Sequence, residues 1–352
     1  MAKFRLLLLP FSLLFGIVVY IRNFLFDMEV LPAYTPPLPV ICIGNLAMGG
    51  TGKTPHTEYL IRMLQNRYPL ATLSRGYGRS TKGFAYVTPD TPASVSGDEP
   101  LQFCRKFRSN VVVAVDEKRK RGIIHLLADH REVQLILLDD AFQHRSVKAG
   151  LNILLSDYAS PYYKDWILPA GNLREQKGGE KRAHILIITK CPEHLPQPER
   201  EQILAKVHVP EVFFSHIRYA PPRRLEDDAE TLFPANLTGI LMLSGIANNK
   251  PFREYLGTKT GQLQTLEFPD HHAYSVADLH KIREAYEAMS EKYNIIVTSE
   301  KDAMRLRQPE LYAIIQKLPV YYVPIHIEFN ENDTFRFQKL ISSYVSEHKK
   351  RS

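Results

Sequence analysis

The stretch NLAMGGTGKTP, residues 45–55, constrains the fold more than any other part of the chain. It follows the apolar run LPVICIG and precedes HTEYLIRML, whose apolar residues recur at helical spacing. A glycine-dense turn between a strand and a helix brings backbone N–H groups onto an anion. Small residues let those groups approach phosphate oxygens, and the helix N-terminus adds its partial positive charge. Gly49, Gly50, Thr51 and Gly52 therefore read as a phosphate-binding loop. Lys53 is placed to reach the β- and γ-phosphates of a nucleotide, and the Thr54 hydroxyl to join the shell of a Mg2+ ion. Ala47 stands where the G-x-x-x-x-G-K-[ST] pattern has its first glycine, which the loop tolerates only if φ there is negative.

A phosphate loop needs a carboxylate for its metal. LILLDDAFQH supplies Asp139 and Asp140 at the end of an apolar strand. Alone, such a pair is commonly a turn or a helix cap. Behind a phosphate loop it reads as the Mg2+ site. TKCP at 189–192 opens like the guanine-recognition pattern N-K-x-D, but Pro192 replaces the aspartate, so the expected nucleotide is ATP.

Strand candidates alternate with helical stretches at 39–44, 70–74, 110–115, 133–140, 151–156, 183–189 and 211–219. Several are unbroken Val/Ile/Leu runs, as in strands buried on both faces of a mainly parallel sheet. The expectation is a doubly wound α/β domain of the P-loop NTPase kind over 27–224. A charged, proline-rich stretch at 220–236 reads as a domain connection, and a smaller α/β domain is expected over 225–352. LPVYYVPIHIEF (318–329) falls inside it, as does an amphipathic helix around 276–293, and the tail SEHKKRS reads as frayed.

The chain's 352 residues suffice for two domains, and its net charge of +7 suits either an ordinary soluble surface or a preference for phosphates or an anionic membrane. Its three cysteines are isolated and odd in number, which excludes a disulfide framework or a cysteine metal site and fits a reducing compartment. The N-terminus is apolar from Leu6 to Tyr20, with Lys3 and Arg5 before it and Arg22 after. This leader, residues 1–26, reads as a membrane-associated helix in or on a bilayer; a buried core helix and a true span are the other two readings. Four prolines between Pro32 and Pro39 read as an extended linker that leaves the leader separable from the catalytic domains.

With GNLAMGGTGKTP (44–55), SRGYGR (74–79), GDEP (97–100), LLDDAFQHR (137–145), LPAGNLRE (168–175), FPDHHAY (268–274) and TSEKDAMR (298–305) in this order, the chain resembles the tetraacyldisaccharide 4′-kinases, the lipid A 4′-kinases of Gram-negative bacteria. The motifs span most of the chain; Ala141 stands where a glycine is expected. The resemblance implies transfer of the γ-phosphate of ATP to the 4′-hydroxyl of a tetraacylated glucosamine disaccharide 1-phosphate, with Mg2+. It implies work on an anionic membrane surface, at the cytoplasmic face of the inner membrane. No nucleic acid and no obligatory protein partner is expected. In this light Asp98 activates the hydroxyl and His271 partners it across the interdomain cleft. Arg75, Arg79, Gly171, Arg174, Glu175 and Asp270 are expected near substrate or phosphate, with plainer readings beside them: solvated arginines, a surface ion pair, a structural turn. Lys301 and Asp302 either cap a helix or line the cleft, and DEKRKR (116–121) reads as a solvated helix face. The rival readings are a membrane-anchored ATPase or GTPase switch, with Gln143 orienting water, and a nucleotide-binding scaffold without turnover.

Overall fold

A computed structural model describes residues 5–289 and 293–351. Lys3, one of the leader's flanking cations, lies outside them. The chain up to Tyr219 supplies β1 (Val40–Asn45), β2 (Leu70–Ser74), β3 (Ala85–Tyr86), β4 (Val111–Val115), β5 (Leu135–Asp139), β6 (Leu151–Asp157), β7 (Ile185–Thr189) and β8 (Glu211–Tyr219). Every residue of β1, β2, β5 and β7 is buried, which is why these strands are continuously apolar rather than alternating. With β14 (Ile325–Phe329) they form a nine-stranded sheet in the order β14-β8-β7-β6-β1-β5-β2-β4-β3. Only the edge strands β3 and β14 run antiparallel. β1 lies between β5 and β6, and Ile43 pairs with Asp139. That register sets the glycine turn beside the aspartate pair.

A second, five-stranded sheet has the order β11-β10-β12-β13-β9, built from β9 (Arg223–Arg224), β10 (Gly239–Ser244), β11 (Leu263–Glu267), β12 (Asn294–Ser299) and β13 (Val320–Val323). The expected helix at 276–293 is Val276–Glu287, started by a capping box of Ser275 and Asp278; residues 290–292 of that expectation lie outside the described residues.

The end of the chain departs from the expected boundary. LPVYYVPIHIEF is two strands in two sheets, because Pro324 has no N–H to continue a ladder. Its carbonyl instead accepts from Ala220 N at 2.9 Å, beside the other crossing of the chain between the sheets. Residues 325–351 therefore belong to the first sheet, not to the smaller unit. The final helix runs Glu331–Arg351, through the tail read as frayed. It buries Phe337, Ile341 and Val345 in the core beneath β1 and β8, and Tyr344 Oη donates to the Val40 carbonyl at 3.0 Å.

The leader is the helix α1 (Leu9–Asp27), long and apolar enough to cross a membrane by length and composition. Leu7, Phe11, Leu13, Leu14, Val18 and Tyr20 face outward, whereas Ser12 and Gly16 are buried. The buried-core reading thus fails for most of its surface, yet the helix is also bonded to the body. Ala170 N donates to Ser12 Oγ at 2.8 Å, Gln176 donates to the Gly16 carbonyl, and Arg145 pairs with Asp27. The proline segment after it is also stitched down: Tyr34 N donates to Ser146 O at 2.9 Å and Lys148 N to Tyr34 O at 2.8 Å.

The Phe337 ring meets Phe213 and Phe329 at centroid distances of 5.3 and 5.0 Å. Phe337→Ala should therefore destabilise the larger unit by about 3–5 kcal/mol. In urea its unfolding transition should move to lower denaturant, and an unchanged midpoint would contradict the assignment of this helix to the first core.

Candidate active site

The glycine turn is held from both sides. Gly49 and Gly52 have φ of 108° and 85°, a backbone region that side chains strongly disfavour, whereas Ala47 is not among the positive-φ residues, as its place in the loop requires. Inside, Asn45 Nδ2 donates to Thr51 Oγ1 at 3.0 Å and Thr189 Oγ1 donates to the Thr51 carbonyl at 2.9 Å. Outside, the loop pairs with the segment carrying Gly171 to Glu175: Met48 N donates to Asn172 O at 2.8 Å and Arg174 N to Leu46 O at 2.7 Å. Behind it sits a buried histidine, His56, with Nδ1 at 2.7 Å from the Gly52 carbonyl and Nε2 at 3.0 Å from Ser215 Oγ. Burial pushes its pKa down to about 4, so the ring is neutral. A carbonyl only accepts, so Nδ1 carries the proton and Nε2 accepts from Ser215.

Lys53 opens the helix α2 (Lys53–Leu64), and its Nζ lies 3.7 Å from Asp140 Oδ1. Arg174 grips the same carboxylate with both Nη atoms, at 2.7 and 3.2 Å. Burial raises the Asp140 carboxyl, but Lys53 and Arg174 outweigh it and hold the group below its ordinary pKa. Asp139 is raised to about 6 by burial and by the neighbouring Asp140 charge. Among the described residues only Thr57 Oγ1, at 3.2 Å, donates to its carboxylate, and the Thr54 hydroxyl has no protein partner. A buried, under-compensated carboxylate beside a free hydroxyl is a hard-oxygen donor set that fits Mg2+.

The second group of residues joins the two sheets. Asp98 opens α3 (Asp98–Phe107), and its Oδ2 accepts from His271 Nδ1 at 3.2 Å, from Arg305 Nε at 2.8 Å and from Arg305 Nη2 at 2.7 Å. Arg305 lies on the helix Glu300–Leu306 and is anchored through Nη1 to Asp302 Oδ1 and to the Gly245 carbonyl, each at 3.0 Å. Lys301 pairs with Glu99 at 2.7 Å across the same seam. Deeper in, Lys106 bridges Glu58 and Glu300 at 2.8 and 2.7 Å. Burial raises the Asp98 carboxyl, but the His271 hydrogen bond and Arg305 bring it below its ordinary value; the same hydrogen bond raises His271. The two groups meet electrostatically, since Lys301 acts on Lys53 and Glu99 on Asp139.

Other expected residues are arranged differently. Arg75 is exposed and has no partner among the described residues. Arg79 does not face a ligand: its side chain is 3% exposed and ties Glu117 at 2.8 Å to the Gly83 carbonyl at 2.6 Å. Gly171 is needed for close packing, because a Cβ there would sit 2.0 Å from the Trp166 carbonyl. Glu175 is no surface pair with Arg174. It is buried and bonded to Arg182, Gln143 and Asn23. Asp270 accepts from His271 N at 3.1 Å and shapes that turn, while His272 turns away to Asp278, so the DHH run does not converge on one point. DEKRKR is not a solvated face throughout: Asp116 and Arg119 are fully buried, with Arg119 donating to the Asp116 and Asp139 carbonyls at 2.6 and 3.1 Å. A separate cleft of about 860 Å3, lined by Tyr86, Arg105, Arg108 and Arg307 among others, contains none of these groups.

Residues 4–345 match the family model described as tetraacyldisaccharide-1-P 4'-kinase. The chain belongs to this kinase family. A tetraacyldisaccharide 4'-kinase from Flavobacterium johnsoniae is 44% identical, covering 98% of each chain. Another from Bacteroides thetaiotaomicron is 42% identical, covering 98% of this chain and 94% of the relative. The crystal structure of LpxK from Aquifex aeolicus in complex with ATP superposes with a TM-score of 0.76 at 29% identity, covering 97% of this chain and 99% of that one. Sequence reasoning missed Arg305, Arg119 and His56 in this kinase. Arg305 closes the quoted TSEKDAMR, and its spacing of three from Asp302 places both on one helix face, a legible signal. Arg119 was hidden in a charge run, and nothing local marks His56 as buried.

The Asp98–His271 pair has a defined pH window. The raised His271 pKa means its contribution is fully present below the ordinary value of 6.5 and is lost as pH rises through the folded value. The lowered Asp98 pKa means its contribution is present above 3.8 and is lost as pH falls through the folded value. An NMR titration should find the His271 midpoint above 6.5, falling in Asp98→Asn. A midpoint that ignores the substitution would show that the two do not interact.

Proposed function

We propose that this chain transfers the γ-phosphoryl group of ATP to the 4′-hydroxyl of a tetraacylated glucosamine disaccharide 1-phosphate and releases ADP. Family membership supports the reaction. The observation that carries the residue assignment is the bridge of Asp98, from the larger unit, to His271 and Arg305, from the smaller. In the proposed mechanism the backbone of Gly49, Gly50, Thr51 and Gly52 cradles the phosphates, and Lys53 neutralises charge on the migrating group. Thr54 and Asp139, with Asp140 beside them, would hold Mg2+. When bound, the ion neutralises the phosphate oxygens. Asp98 accepts the proton of the sugar hydroxyl as its oxygen bonds to phosphorus. Arg305 keeps that carboxylate ionised and His271 fixes its orientation. Arg75, exposed and unpaired among the described residues, is the cation assigned to the anionic substrate.

The outward apolar face of α1 and the net charge of +7 suit an enzyme bound to an anionic bilayer, where its lipid substrate is concentrated. In this reading it works at the cytoplasmic face of the bacterial inner membrane, on the side where ATP is supplied. The switch reading asked Gln143 to orient water. Its amide nitrogen instead donates to the Asn45 carbonyl at 2.8 Å and to Glu175 at 2.9 Å, which leaves it occupied.

Labelled ATP with and without the detergent-dispersed disaccharide lipid tests the reading: ADP formation should require the lipid, and lipid-independent hydrolysis would favour the switch. Lys53→Ala should lower kcat by roughly 10²–10³-fold, and a near-normal kcat would refute the role of the loop. Asp98→Ala and His271→Ala should each lower kcat while leaving ATP affinity largely intact. The double variant should lose much less than the product of the two, because hydrogen-bonded partners are not additive. Multiplicative losses would assign them independent roles.

A further inference from the structure

The leader helix reaches the back of the phosphate site. Asn23 Nδ2 donates to Glu175 Oε2 at 2.8 Å. The same carboxylate accepts from Arg182 at 2.8 Å and from Gln143 Nε2 at 2.9 Å. Gln143 Nε2 also donates to the carbonyl of Asn45, the last residue of β1, at 2.8 Å. Its Oε1 lies 3.4 Å from Arg174 Nη1, the nitrogen that holds Asp140 at 2.7 Å. Arg22, adjacent on the helix, donates to the Gln143 main-chain carbonyl at 2.7 Å. A continuous run of polar contacts therefore connects α1 to the carboxylate that pairs with Lys53.

The helix is attached through Ser12, Gly16, Asn23 and Asp27, and Arg5 ahead of it donates to the Pro169 carbonyl. At 1.5 Å per residue, Ser12 to Asp27 is roughly 22 Å of helix lying against the body. Glu175 is 1% exposed, so its charge is balanced only by the donors around it. Removing a donor from a buried carboxylate is costly, and the remaining donors shift to compensate. Gln143 is the donor whose shift moves both the start of the phosphate loop and Arg174.

We infer that Arg22 and Asn23 are positioning residues of the phosphoryl-transfer site, acting through Glu175 and Gln143 on Arg174. The leader then sets turnover as well as membrane residence. The inference rests on the kinase reading above.

The test uses the full chain. Asn23→Ala should lower kcat about tenfold and change the KM values and partition onto anionic vesicles by less than about twofold. Hydrogen exchange should quicken at the amides of Leu173 and Arg174, which bond to the Trp166 and Leu46 carbonyls at 2.9 and 2.7 Å. Leu14→Asp, on the exposed face, supplies the contrast: weaker vesicle partition with those amides unchanged. In a Gln143→Ala background, Asn23→Ala should cost little more. The inference is overturned if Asn23→Ala keeps wild-type kcat and exchange, if its loss is confined to vesicle partition, or if the two substitutions multiply. Should the wild-type protein form no ADP with the lipid, the kinase reading falls, and the exchange comparison alone decides this inference.

Discussion

The parallel pairing of β1 with β5 is the constraint on which the rest of the site depends. Once Ile43 lies opposite Asp139, the strand that enters the glycine turn and the strand that ends in two aspartates finish at the same edge of the sheet. No side chain chooses this; the backbone ladder does. The helix after the turn then starts with Lys53 beside Asp140, and Arg174 grips the same carboxylate. Ligands of open parallel sheets gather at such carboxyl ends for the same geometric reason.

Burial decides which of the many charge pairs matter. The exposed pair Arg224–Asp227 is of the kind worth about 0–1 kcal/mol. Arg305 is 4% exposed and Asp98 15%, and stripping a buried carboxylate of its cation costs about 3–5 kcal/mol. The seam between the two sheets carries the charge pairs Asp98–Arg305, Glu99–Lys301 and Lys106–Glu300, beside an apolar contact in which Tyr219 of β8 stacks on Tyr255. Such a seam is specific in register: sliding one helix past the other unpairs several charges at once. It holds His271 against Asp98, on which the proposed proton transfer depends.

The leader and the C-terminal helix serve the same sheet from opposite ends of the sequence. One presents an apolar face outward and a polar ridge inward; the other buries Phe337, Ile341 and Val345. Both are long helices, and burial separates their roles. The final helix sets Phe337, Ile341 and Val345 into the core, whereas most apolar residues of α1 are left uncovered, which is the arrangement a bilayer would complete.

Much of this was legible in the residues. Apolar runs gave the parallel strands of the first sheet, and the glycines with Lys53 gave the strand–turn–helix that brings the loop beside the aspartates, because strand burial and tight turning are local requirements written into consecutive residues. Asp98 and His271 were legible only through family resemblance, being 173 positions apart. Tertiary structure decided what depends on partners distant in sequence. Arg79, Arg119 and Glu175 look like surface charges in the sequence, and their side chains are buried and hydrogen-bonded in the fold. LPVYYVPIHIEF reads as one unit and is divided between two sheets, since a strand's composition does not name its neighbour. Residue type fixes what a side chain can do; only packing fixes which charge it meets and whether water remains to screen them.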